Sequence, residues 1–288
     1  VTGALPGWVH ELLVAPLAAL LALLLLEAAV GFRRAAVEFL ALVAYGYALE
    51  VVAMAVFSSH VYAASWRVAP GGVPLAVAVV WAAVIPAAIA VAARLGYESP
   101  ARNAVAAALL ATSLDLLIEP VAVRAGLWQW TPAGPWLAVP IGNFVGWGVI
   151  VGSYAWGAAR HDTALSLPTR AAKRVLLGTV SIAVLVGVGL FWRATGAEAL
   201  FTGRGGLVVG LVLLSTAALR FRRRRDDLEL ALPRLLASAP RGYPLGIFAL
   251  LLLTFASDAV GLGEASLVAV ALAISSALLV TLDGTRST

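Results

Sequence analysis

Long apolar runs separated by short polar breaks fill nearly the whole chain. A helix needs about 20 apolar residues to cross the hydrocarbon layer of a bilayer. In lipid such a span must satisfy its own backbone hydrogen bonds, which a helix does. Apolar runs and breakers predict nine helical spans, roughly 12–31, 35–57, 73–93, 103–123, 139–159, 174–192, 205–220, 243–259 and 264–282. Little chain is left for a soluble module, so residues 1–288 read as a single integral membrane domain. The predicted fold class is all-α, a polytopic transmembrane helical bundle. The first run is flanked by Glu11 and by no Lys or Arg, unlike a signal peptide.

Charge then tests the span count. Only 12% of residues are charged, about half the share in a soluble domain. Of the 20 basic residues, sixteen fall in alternate loops and at the C-terminus: Arg33 and Arg34, Arg94 and Arg102, a loop with Arg160, Arg170, Lys173 and Arg174, seven arginines from Arg220 to Arg241, and Arg286. Arg67, Arg124, Arg193 and Arg204 alone fall on the other side. A wrong span count would scramble this asymmetry. By the positive-inside rule the N-terminus is outside and the C-terminus inside, as in a multi-pass protein of the cell membrane. The net charge of +5 then reflects loops facing anionic lipid, not nucleic acid. Within the basic loop 220–242, basic residues precede Leu228, Leu230, Leu232, Leu235 and Leu236. That segment reads either as an interfacial amphipathic helix on anionic lipid or as a solvated loop that enforces topology.

Several chemistries lack their residues. There is no cysteine, which excludes disulfides, thiolate metal sites and Fe–S clusters. The histidines are His10, His60 and His161, too few for a membrane di-iron oxygenase. Lys173, the one lysine, sits in a predicted basic loop, whereas a retinal Schiff base needs a lysine inside a helix.

An ionisable group inside a span costs several kcal/mol unless paired, neutral or hydrated. Glu27 and Glu38 lie near the inner boundary of their spans and read as interfacial. Glu50 lies in the outer half of the second span, and Asp115 and Glu119 in the outer half of the fourth. Asp115 and Glu119 are four residues apart and share a helix face. Two adjacent carboxylates in a low dielectric do not both ionise easily, so one keeps its proton and an acid stands beside a base. The bland alternative is a structural pair tied to Arg124. Pro120 disturbs the helix there and frees backbone carbonyls, which can hold water.

The next stretch, GLWQWTPAGPWLAVPIGNFVGWG (126–148), holds four tryptophans and three prolines. It reads as an outer loop or re-entrant turn, with no regular helix before about Gly142. Its tryptophans serve as interfacial anchors or as cavity walls whose ring faces stabilise a cation. Asn143 enters the same layer and is suited to position a water. His60 and Tyr62 close the second span on that face, and a lone interfacial histidine reads as structural. The Gly142/Gly146 and Gly206/Gly210 pairs indicate helix packing only.

Residues 115–148 resemble the signature of the CruF-type carotenoid hydratase family, which includes bisanhydrobacterioruberin and γ-carotene hydratases. The resemblance rests on Asp115, Glu119-Pro120, Trp128 and Trp130, then Pro140, Asn143, Phe144, Gly146 and Trp147. It continues upstream through Glu50, Tyr62, Val73-Pro74 and Trp81, and covers about residues 35–155. The chain departs from it in having Glu119 where Asp is usual, and Leu137-Ala138-Val139 in place of a Tyr/Gly-rich turn.

What the resemblance implies is a hydratase that adds water across a terminal C=C of an acyclic carotenoid. It implies no cofactor and no metal, a substrate arriving from lipid, and other carotenoid-biosynthesis enzymes as partners. Asp115 and Glu119 become the expected acid/base pair, with Glu50 and Asn143 as helpers. Trp128, Trp130, Trp147, Phe144, Tyr62 and Trp81 become the expected substrate-binding residues. The rival enzymes are a proton-initiated cyclase or isomerase, which must exclude water, and a prenyltransferase, which would need two Asp-rich magnesium motifs. A transporter is the non-enzymatic rival, though no inverted repeat is evident.

Overall fold

The computed structural model describes residues 6–94, 97, 99–158 and 166–201. The expected spans 205–220, 243–259 and 264–282, the basic segment 220–242, His161 and Arg160 lie outside the described residues, as does the side chain of Glu27.

The first six expected spans are helices: α1 (Gly7–Val30), α2 (Phe32–Phe57), α3 (Leu75–Arg94), α4 (Pro100–Arg124), α5 (Ile141–Ala158) and α6 (Leu167–Ala194), followed by a short α7 (Ala197–Phe201). Four segments, Phe32–Phe57, Leu75–Ala93, Pro100–Arg124 and Pro168–Ala194, are long and apolar enough to cross a membrane, and Gly7–Leu20 is a shorter apolar helix. Leu40, Val105, Val175 and Leu176 are exposed on their outer faces. Apolar surface of this extent suits lipid better than water.

The helices α2, α3, α4, α5 and α6 follow one another round a ring that closes where α6 returns to α2, and α1 packs on α2 and α3. Small residues set the spacing. A Cβ at Gly46 would lie 2.8 Å from the Trp81 Cβ and 3.0 Å from the Ala78 carbonyl, so only glycine lets α2 and α3 approach so closely. Gly148 and Gly152 face Thr112 and Ala108 of α4, whereas Gly142 and Gly146 face Trp192 and Leu185 of α6. Inside the ring, Tyr45 and Ser153 each lie 2.7 Å from the Ser181 hydroxyl, tying α2, α5 and α6 together.

Two expectations change. The sixth span was expected from 174, with Arg170, Lys173 and Arg174 in a loop, but α6 begins at Leu167. Ser166 caps it by accepting from the Thr169 N–H, and a proline stands in its first turn, a helix start that the basic residues obscured. Arg170 and Arg174 are buried and paired with Glu38, at 2.5 Å and 3.2 Å. Lys173 therefore lies in a helix, near its N-terminal end and away from the cavity described below.

The all-α expectation holds in the main, since the described residues are mostly helical, but it gains a two-stranded antiparallel ribbon. β1 (His60–Tyr62) pairs with β2 (Trp128–Trp130), with His60 opposite Trp130 and Tyr62 opposite Trp128. Three-residue strands are too short to show a period in sequence.

Candidate active site

Strand geometry builds the site. Side chains alternate along a strand, so His60, Tyr62, Trp128 and Trp130 share one face of the ribbon, while Val61 and Gln129 are exposed on the other. Ser58, in the left-handed region at φ 46°, ends α2 and turns the chain into β1. The Thr131 N–H donates to the Ser59 carbonyl at 2.8 Å, and the Ala63 N–H and Trp66 Nε1 both donate to the Leu127 carbonyl. These bonds fix the ribbon over a cavity of about 720 Å³ lined from all six long helices.

Each strand addresses one carboxylate. From β1, the Tyr62 hydroxyl donates to Glu50 Oε2 at 2.9 Å, and His60 Nε2 lies 3.4 Å from the same oxygen. Trp81 of α3, brought near by the close approach at Gly46, donates its indole N–H to Glu50 Oε1 at 2.7 Å. Both oxygens of Glu50 are thus engaged. From β2, Trp128 and Trp130 donate to Glu119 Oε2 at 2.8 Å and 2.9 Å. No donor among the described residues reaches Glu119 Oε1. Burial, then the adjacent Glu50, push the Tyr62 phenol well above its ordinary range, so it remains a donor.

The rings lock together. His60 meets Trp130 at 4.9 Å and Tyr62 at 5.2 Å between centroids, and Tyr62 meets Trp128 at 5.8 Å. Trp81 and Trp147, both on the cavity wall, lie 4.2 Å apart between centroids. Trp81, Trp128 and Trp130 commit their single N–H groups to carboxylates, which leaves their apolar surfaces to wall the cavity.

Asp115 and Glu119 share a helix face as expected, but they have different partners. Asn143 of α5 donates to Asp115 Oδ2 at 2.7 Å. Asp115 is fully buried, its Oδ1 has no hydrogen-bond partner among the described residues, and it does not line the cavity. Asn143 stands between Asp115 and the cavity. Pro120 lacks the N–H that would reach the Leu116 carbonyl, and Trp136 Nε1 donates to that carbonyl instead, at 3.3 Å. The freed acceptor is therefore taken by protein.

Glu50, Glu119, Asn143, Tyr62, Trp81, Trp128, Trp130 and Trp147 all line the cavity. Phe144 does not. It is buried with Leu116, Val139 and Ile141. Among the cavity residues that were not anticipated are His60 and Glu198. His60, read from sequence as structural, pairs with Glu50. Glu198 of α7 accepts the N–H groups of Ile141 and Gly142 at 2.7 Å and 2.9 Å, and the Trp192 indole at 3.0 Å. A carboxylate at a helix N-terminus meets unsatisfied donors and the positive end of the helix dipole. Its presence in a polar-looking turn gave no sequence signal beyond an acidic residue between spans. Among the described residues no group of three or more His, Cys, Asp or Glu could hold a metal ion.

Apolar ring, lipid-suited outer faces and a buried acidic cavity walled by tryptophan define a membrane-type helical protein with an interior polar site. Residues 7–223 match the family model described as carotenoid biosynthesis protein. The chain belongs to that family. The match begins at α1 and runs past α7, wider than the 35–155 recognised from motifs. No curated protein matches the chain, and no solved structure does.

Proposed function

We propose that this carotenoid biosynthesis protein is a hydratase. It adds water across the terminal C=C of an acyclic carotenoid through a tertiary cation. The observation that supports this reading best is the convergence of two carboxylates from separate helices on one cavity walled by tryptophan. The hydratase needs an acid, a held water and walls that tolerate a cation.

The contacts distribute the roles. Glu119 carries the proton on Oε1, the oxygen that its two indole donors leave uncommitted. It transfers that proton to the terminal alkene carbon pair, forming one C–H bond and leaving a tertiary cation. Glu50, with every oxygen already accepting, is the fixed counter-charge. Trp81, Trp128, Trp130, Trp147 and Tyr62 present aromatic surface to the cation. Asn143 holds the attacking water, and Asp115 acts behind it as a positioning residue instead of the acid. Phe144 supports the packing of this end of α5. Asn143 also favours hydration over cyclisation, since a cyclase would gain nothing from an amide at the cavity wall.

The substrate enters from the lipid phase of the cell membrane, where the protein is multi-pass with nine spans. Membranes holding the protein and an acyclic carotenoid, incubated in heavy-oxygen water without dioxygen and with a chelator, should yield product whose new hydroxyl carries the label. Label from dioxygen, or activity that returns only with magnesium, would refute the hydratase.

A further inference from the structure

Hydration by this route leaves a proton to be removed. When water attacks the cation, the new C–O bond carries an oxonium, and Glu119 has meanwhile lost its proton. A base must collect the first and replenish the second. Glu50 is poorly placed for this, because Trp81 occupies one oxygen and Tyr62 and His60 approach the other.

His60 is better placed. Its ring lines the cavity and is buried, held between Tyr62 and Trp130 on the inward face of the ribbon. Nε2 faces the Glu50 carboxylate. A histidine whose one nitrogen donates to a carboxylate keeps the other as an acceptor. That other atom, Nδ1, is buried with no hydrogen-bond partner among the described residues. With Nε2 donating to Glu50, Nδ1 keeps an uncommitted lone pair that can take a proton. The ring also lies within electrostatic reach of both Glu50 and Glu119. The ionisable groups facing it are Glu50 from α2, Tyr62 from its own strand and Glu119 from α4.

We infer that His60, held by Glu50, is the general base that takes the proton from the attacking water and returns it to Glu119. The inference rests on the hydratase reading. The atoms balance: Glu119 gives one proton to carbon, water gives its oxygen to the cation and one proton to Nδ1, and the imidazolium passes that proton to the Glu119 carboxylate. Glu50 keeps the imidazolium paired in the interim.

The test compares His60→Gln and His60→Gly with the parent protein in carotenoid-containing membranes. Gln still donates to Glu50 but cannot take a proton, so kcat should fall about 10²-fold, the low end for positioned proton transfer, with KM little changed. In His60→Gly, added imidazole should restore product, whereas pyrazole, of the same size but far less basic, should not. Equal rescue by both, or a Gln variant within a few-fold of the parent, would overturn the base. If the Gly variant fails to reach the membrane, the Gln variant decides alone. Should the parent protein itself form no hydroxylated product, the hydratase reading falls and takes the base with it. A parent that hydrates while His60 variants do so equally well overturns the base only.

Discussion

Replacing Glu119 separates chemistry from packing. Its Oε2 accepts two indole N–H groups, from Trp128 and Trp130. In Glu119→Gln the side-chain carbonyl can take the place of Oε2 and accept both. The amide NH₂ then occupies the Oε1 position, where no described donor opposes it. Folded stability should therefore change little. Proton donation is lost, and positioned acid catalysis is typically worth about 10²–10⁴-fold. Glu119→Ala differs, because it leaves two indole donors without an acceptor at about 1–3 kcal/mol each, so it should lose both activity and stability. Asp115→Asn is the control on the same helix. Its carbonyl can still accept from Asn143, so the positioning contact survives and the rate should fall by no more than about fivefold, the equivalent of about 1 kcal/mol. Each variant is expressed in a host that makes the acyclic carotenoid. Hydroxylated and unhydroxylated pigment are then resolved by chromatography, alongside thermal melting in detergent. A Gln variant close to the parent rate would make Glu119 structural. An Asp115→Asn loss as deep as that of Glu119→Gln would return the acid to Asp115.

Two further outcomes test other parts of the molecule. Glu198→Ala strips an acceptor from two N-terminal amides of α5 and from Trp192, and should cost about 1–2 kcal/mol of stability, read as a lower melting temperature in detergent; an unchanged melt means that this contact contributes nothing. Reporter fusions after Arg225 and after Arg204 should report opposite sides of the membrane, the first cytoplasmic, and a shared side refutes the nine-span topology.

Helices were legible because apolar runs long enough to cross a bilayer have few other solutions in lipid, and α1 to α6 follow those runs. The start of α6 was hidden because Arg170 and Arg174 look like loop charge until Glu38, more than 130 residues away, is seen to receive them. The buried carboxylates drew attention by being costly, and Glu50, Glu119 and Asn143 do meet at one cavity. Spacing alone could not say that Asp115, one turn from Glu119, is addressed by a different helix. His60 escaped for a similar reason. Its role depends on a cross-strand register set by residues 126–131, and nothing local to position 60 reveals that pairing.

The ribbon also predicts how the gene can drift. Lengthening either strand by one residue inverts which side chains face inward. In β1, Val61 would take the inward place of His60 and Tyr62, and Glu50 would lose its ribbon partners. In β2, Gln129 would replace Trp128 and Trp130, and Glu119 would lose both indole donors in a single event. Point substitutions are graded, but a one-codon insertion at 59–62 or 127–130 is all-or-none. Among relatives the two strands should therefore keep a fixed count of residues.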